Sequence, residues 1–155
     1  PGFVGLGAPH WDQFSTGLII GLTRSTKKGH IARAALEALS LQSMEVVETM
    51  SLDSNIEIKE LRVDGGASAN DLLMQIQSDI AELKVIRPKI IETTAQGVAF
   101  MAGLHIGYWE SIEEIQSLWT AEKKFIPVKM NLHSIKKNWQ KAVQRAKSWV
   151  EKENI

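Results

Sequence analysis

The sequence predicts an α/β fold, and two observations carry that expectation. Short apolar runs alternate with longer segments of helical periodicity, and one run ends in a two-glycine turn that opens straight onto a helix-start signal. No internal repeat and no low-complexity tract interrupts the alternation, so the 155 residues are expected to form one domain or most of one.

Residues 1–16 read as a loop punctuated by Gly5, Gly7 and Pro9 and carrying Phe3, His10, Trp11 and Phe14. Gly17-Leu18-Ile19-Ile20-Gly21-Leu22-Thr23 follows as a short glycine-bounded apolar run, which predicts a buried strand. After a turn at 26–29, helical spacing sets in over residues 30–50, with Ile31, Ala34, Ala35, Leu39, Val46 and Met50 as the expected inward positions. Residues 57–63 form the next strand candidate, halted by Asp64-Gly65-Gly66.

Ser68 and Asp71 then make an S-x-x-D start signal for a helix running to about residue 82, with Leu72, Leu73, Ile76 and Ile80 inward. A strand over 84–87 is closed by Pro88. Thr93 or Thr94 can cap a third helix over 95–109, whose glycines and alanines exchange helix propensity for close backbone approach. A short helix near 111–119 and an irregular stretch to 131 lead to a last helix over 132–153. Its expected apolar stripe is Ile135, Trp139, Ala142, Val143, Ala146, Trp149 and Val150, opposite a solvated basic face.

Composition excludes several classes of function. Eighteen basic and eighteen acidic side chains leave no net charge, which argues against a nucleic-acid-binding module. Without cysteine there is no disulfide, zinc-thiolate site or thiol nucleophile. Membrane insertion is not expected, because the longest apolar stretches are too short to span a bilayer. No basic start followed by an apolar run marks a secretory signal in these residues, and a cytoplasmic protein is the expectation. The chain opens on Pro1-Gly2-Phe3-Val4 inside what reads as a loop, so it is expected to be a piece of something longer. The four histidines are scattered rather than set at metal-ligand spacing, and Glu37 reads as a helix-surface residue. Neither a phosphate loop ending in G-K-[ST] nor a dinucleotide fingerprint occurs.

The sharpest local feature is Val63-Asp64-Gly65-Gly66-Ala67-Ser68-Ala69-Asn70. Two glycines let the backbone approach a ligand with no Cβ in the way, and a helix start offers unpaired amides. Asp64 could hold a ribose hydroxyl or a metal-bound water, and Asn70 brings both a donor and an acceptor. The residues equally allow a plain strand-to-helix turn in which Asp64 and Asn70 act as local caps.

Taken in order, the motifs resemble the carbohydrate-kinase family that includes glycerol kinase, xylulokinase and gluconokinase. Gly17-Leu18-Ile19-Ile20-Gly21-Leu22, a seven-residue spacer and His30-Ile31-Ala32-Arg33-Ala34-Ala35-Leu36-Glu37 resemble the family's second signature. Arg62-Val63-Asp64-Gly65-Gly66-Ala67-Ser68-Ala69-Asn70 resembles its adenosine-binding turn, and Thr94-Ala95-Gln96-Gly97-Val98-Ala99 the small-residue helix beyond it. Phe3-Val4-Gly5-Leu6-Gly7-Ala8-Pro9-His10-Trp11-Asp12 is similar to the glycerol kinase branch, with His10 standing where that branch commonly has tyrosine.

The resemblance implies an actin-like, ribonuclease H-like domain, incomplete at its N-terminal end, that closes against an N-terminal substrate domain over ATP with Mg2+. It implies that Gly66 and Asn70 contact the nucleotide, with Gly65 shaping the turn and Asp64 close by. It also implies glycerol as the phosphate acceptor, bound through the absent domain, and a homo-oligomeric full-length enzyme. The catalytic aspartate lies upstream of these motifs in such kinases, so no catalytic and no metal residue is assigned within the chain. The isolated chain is then expected to be inactive. The alternatives are a non-catalytic assembly module and a kinase for a pentulose or gluconate.

Overall fold

A computed structural model of the chain describes residues 1–151. Its longest element is α1 (Lys28–Ser54), which ends where Asn55 takes the left-handed conformation at φ 53°. A strand β1 (Glu60–Arg62), a 3-10 turn (Gly66–Ala69) and α2 (Asp71–Ala81) follow. Then come β2 (Lys84–Pro88), α3 (Thr93–His105), α4 (Ile112–Ser117), β3 (Ala121–Phe125) and α5 (His133–Ala146). The sheet order is β1-β2-β3. β1 and β2 run parallel with Leu61 opposite Val85, and β3 returns antiparallel with Phe125 opposite Val85. The α2 crossover between two parallel neighbours is the βαβ unit that alternating strands and helices predict.

The core sits on both sides of α2. Leu73 and Met74 pack with Val85 and Phe125 on the sheet, while Ile76 and Ile80 pack with Leu41 and Met44 of α1 and with Leu132. Leu36 borders both clusters and joins them. Ser40 of α1 and Ser78 of α2 are wholly buried. Ser78 Oγ donates to the Leu83 carbonyl at 2.7 Å, which supplies the partner that a buried hydroxyl needs.

Several expectations are corrected. Gly17–Thr23 forms no strand: Ile19 and Ile20 are 65% and 54% exposed, and none of the described strands lies beside the segment to complete a ladder. A strand needs a neighbour, so apolar character alone is not enough. The segment instead borders an apolar trough shared with Ile31 and Ala35 of α1 and Trp139 of α5.

On α1 the buried face is Ser40, Leu41 and Met44, not the one headed by Ile31, Leu39 and Met50. Apolar residues occur on more than one side of this helix, and the side that meets α2 is the one buried. On α2, Met74, Gln77 and Ser78 join the core, while Leu72 stays half exposed.

The stretch 120–131 is not all irregular, because β3 occupies 121–125. Its three central residues, Glu122, Lys123 and Lys124, face solvent as suits an edge strand, and this hid the strand from a search for apolar runs. Helix α5 stops at Ala146, with Ser148 at φ 49°, so Trp149 and Val150 leave the stripe and Trp149 is exposed. Residues 152 and 153 of the predicted helix lie outside the described residues.

Helix α3 starts and ends earlier than its pattern suggests. Of its glycines, Gly103 does provide the expected close approach, since a Cβ there would collide with the Trp109 ring. Gly97 faces open space among the described residues. No described helix is long and apolar enough to cross a membrane.

Candidate functional site

The two parallel strands bring the loops at their carboxyl ends to one edge of the sheet, the place where open α/β sheets take ligands. The Val63 amide adds one more bond to the ladder, to the Ile86 carbonyl at 3.1 Å. The chain then leaves the sheet through Asp64 and Gly65. Gly65 sits at φ 75°, ψ 169°, a region that only glycine occupies without strain. Its amide donates to the Ile91 carbonyl at 2.7 Å, which binds the loop after β1 to the loop after β2.

The four residues that the sequence singles out form one exposed turn. Asp64 accepts a hydrogen bond from Thr93 Oγ1, so its carboxylate holds the first turn of α3 to the turn. Among the described residues, and apart from its chain neighbours, no heavy atom lies within 4 Å of the place a Cβ would take on Gly65 or Gly66, so a ligand can reach the backbone there. Ser68, buried, donates from Oγ to the Gly65 carbonyl at 2.7 Å and closes the turn from inside. Asn70 caps α2, its Oδ1 accepting from the Leu73 amide at 3.1 Å. Its side-chain amine has no hydrogen-bond partner among the described residues. The capping role and the ligand role are therefore compatible at Asn70, because they use different ends of one amide.

Charges next to the turn are matched. Arg87, 8% exposed near the end of β2, reaches Asp71 at 2.8 Å and Glu122 at 2.7 Å. Lys123 lies 2.6 Å from the other Asp71 oxygen. Hydrogen bonds from Lys123 and then Arg87 hold the Asp71 carboxyl below its ordinary value, against a smaller upward push from burial.

Sequence reasoning missed three partners of the turn: the Ile91 carbonyl, the Thr93 hydroxyl and Arg87. Only Arg87 had a legible signal, as a cation set between the apolar Ile86 and Pro88, which requires paired acceptors if it is buried.

The second motif, residues 5–12, is directed elsewhere. Leu6 and Asp12 exchange backbone bonds at 2.8 and 2.9 Å, and Asp12 Oδ2 accepts from the Ser148 amide at 2.8 Å. His10 Nε2 lies 3.0 Å from Glu45 Oε2 on α1. These contacts join the loop to α1 and to the segment after α5, and none of them reaches the turn at 64–70. Glu37 pairs with Arg33 one helical turn away, as a surface residue would. Among the described residues no three His, Cys, Asp or Glu side chains are grouped for a metal ion.

Comparison with known proteins bears on this geometry. Residues 1–106 match the FGGY family of carbohydrate kinases, C-terminal domain. A glycerol kinase of Borrelia garinii subsp. bavariensis is 55% identical over 157 aligned residues, which cover 99% of this chain and 31% of that protein. The structure of Plasmodium falciparum glycerol kinase with ADP superimposes at a TM-score of 0.79 and 37% identity, over 94% of this chain and 30% of that one. A ligand-bound xylulose kinase from Lactobacillus acidophilus matches at a TM-score of 0.70 over 94% of this chain and 29% of that one, but at 22% identity this likeness speaks for the fold alone.

The chain thus spans about a third of the length of the relatives it matches, 31% in the first case. The sheet with its α2 crossover is part of the actin-like, ribonuclease H-like arrangement that the motifs led us to expect. With the C-terminal-domain match running over 106 of its 155 residues, the chain belongs to the FGGY family of carbohydrate kinases.

Proposed function

We propose that this chain is the C-terminal nucleotide-binding domain, in part, of a glycerol kinase, and that it supplies the adenosine side of the site for ATP or ADP. The full enzyme would transfer the γ-phosphoryl group of ATP to glycerol, giving glycerol 3-phosphate and ADP. The observation that carries this reading is the Cβ-free, exposed turn at Gly65-Gly66, set at the carboxyl ends of two parallel strands and followed by the cap residue Asn70. It is supported by the likeness to a glycerol kinase solved with ADP, which superimposes over 94% of this chain.

In this reading the Gly66 backbone lets adenosine lie flat against the turn, with Gly65 providing the bend that presents it. The Asn70 amine donates to the nucleoside while its carbonyl oxygen keeps α2 capped. Asp64 acts at one remove, holding α3 to the turn through Thr93. Mg2+ would arrive on the nucleotide phosphates, where it offsets charge during transfer. The proton of the glycerol hydroxyl and the water-excluding closure belong to the N-terminal domain, so the isolated chain binds nucleotide weakly and transfers nothing.

The test is Gly66→Val in the full-length kinase. A Cβ there meets no atom within 4 Å among the described residues beyond its chain neighbours, so the variant is expected to fold while the nucleotide surface is obstructed, which circular dichroism checks. The KM for ATP should rise by about tenfold or more, the equivalent of one lost close contact. An unchanged KM would reject the turn as the adenosine site. A panel of glycerol, xylulose and gluconate on the wild-type enzyme tests the acceptor, and glycerol should be preferred.

A further inference from the structure

Two bonds reach the 64–70 turn from β2 and its following loop: Ile91 receives the Gly65 amide, and Arg87 Nη1 donates to the Ser68 carbonyl at 2.7 Å. The second is the more specific. Ser68 is the buried centre of the four-residue 3-10 turn, with Gly66 two residues before it and Asn70 two residues after. A 3-10 turn of this length has poorer internal hydrogen-bond geometry than an α-helix. Its shape therefore rests on the Ser68 hydroxyl bond to the Gly65 carbonyl and on what grips it from outside.

Arg87 is held firmly enough to serve. Its Nε donates to Glu122 on β3 at 2.7 Å, and its Nη2 lies 2.8 Å from Asp71 Oδ1 on the first residue of α2. Asp71 is steadied in turn by Lys123 on β3. One planar guanidinium thus links the turn, the helix it leads into and the edge strand, and each nitrogen has its own acceptor. Lysine, with a single ammonium on a flexible stem, cannot reproduce that fork. A structural cation would need only its two carboxylates; the third arm is spent on a main-chain carbonyl midway between Gly66 and Asn70.

We propose that Arg87 is the positioning residue of the nucleotide turn, fixing the separation of the Gly66 backbone and the Asn70 side chain by its bond to the Ser68 carbonyl. The proposal rests on the reading of that turn as the adenosine site. It assigns to a residue that touches no nucleotide a selective effect on nucleotide affinity, with Glu122 as the support that aims it.

The experiment compares Arg87→Lys, Glu122→Ala and Gly66→Val with wild type in the full-length kinase, by steady-state kinetics varying ATP and glycerol separately, with circular dichroism to establish folding. For Arg87→Lys the KM for ATP should rise about tenfold more than the KM for glycerol, the loss expected for one charge-assisted hydrogen bond. Glu122→Ala, an exposed change on the edge strand, should shift the same ratio in the same direction by about threefold, through weaker aim of the guanidinium. A purely structural Arg87 would lower the unfolding midpoint and leave that ratio alone.

If the ATP KM rises in Gly66→Val while the ratio stays at the wild-type value in folded Arg87→Lys and Glu122→Ala, the positioning role is overturned and the adenosine reading stands. If Arg87→Lys does not fold, Glu122→Ala decides alone. An unmoved ATP KM in Gly66→Val overturns both.

Discussion

The amide of Gly65 donates to the carbonyl of Ile91 at 2.7 Å, joining the loop that leaves β1 to the loop that leaves β2. Gly65 makes this bond from φ 75°, ψ 169°, a backbone geometry that costs other residues roughly 1–3 kcal/mol. Beyond its chain neighbours, no described residue lies within 4 Å of its absent Cβ, so the penalty for a side chain is conformational. Gly65→Ala should therefore lower stability by about 1–3 kcal/mol in urea unfolding. An unchanged midpoint would show that the loop relaxes to another conformation at no cost.

Asn70 allows its two roles to be separated. Asn70→Ala removes the cap of α2 and should cost about 1 kcal/mol, whereas Asn70→Asp keeps an acceptor for the Leu73 amide and should be nearly neutral. Both remove the side-chain amine, so both should weaken ADP binding in the full-length enzyme. Titration calorimetry with ADP next to thermal unfolding checks this. Binding that tracked stability across the pair would assign Asn70 to capping alone.

Gly5 and Gly7 lie two residues apart in the same motif, yet they should respond differently to alanine. Gly5 is at φ 89°, and a Cβ there would come within 2.7 Å of the Asp12 carbonyl oxygen and 2.8 Å of Gln13 Cα. Gly5→Ala should cost about 2 kcal/mol or more, from strain and backbone displacement together. A Cβ on Gly7 would meet nothing within 4 Å among the described residues beyond its chain neighbours, so Gly7→Ala should stay within about 0.5 kcal/mol of wild type. Paired unfolding curves compare the two.

Acid should weaken the contacts around the turn through Asp71. Hydrogen bonds from Lys123 first, and then from Arg87, depress its carboxyl below the ordinary 3.8. Between the depressed value and 3.8 the unfolded chain binds more protons, so stability rises with pH through that window. It is complete above 3.8 and is lost as the pH falls towards the folded value. Asp12 adds a contribution of the same sign: burial pushes its carboxyl up, but the Ser148 and Phe14 amides and the nearby Lys147 charge together bring it below 3.8. Asp71→Asn should flatten the acid limb of a stability–pH curve, and added salt should shrink the part that comes from the exposed Asp71–Lys123 pair. An acid limb unchanged by Asp71→Asn would put the titration elsewhere.

Periodicity together with glycine, proline and cap signals was enough to find α1, α2 and the β1-turn-α2-β2 unit, because these elements depend on local spacing and punctuation. Edge strand β3 escaped because Glu122, Lys123 and Lys124 face water and only Ala121 and Phe125 turn inward. Gly17–Thr23 failed in the opposite sense, since its sequence has strand character but the described residues offer no partner strand. At the candidate site the contiguous residues 64–70 could be read directly, while Ile91, Thr93 and Arg87 could not, because their contacts cross 19 to 29 positions of chain.

By itself, then, the sequence determined the family, the α/β alternation and the glycine turn that gives a ligand access to backbone. Only the tertiary structure decided which face of α1 is buried, that Asp64 is taken up by Thr93, and that Arg87 grips Ser68. Local patterns state what a segment can form; which carboxylate, carbonyl or apolar face finds a partner depends on the three-dimensional register of β1, β2 and β3 around α2, set by burial of Val85, Phe125 and Ile80.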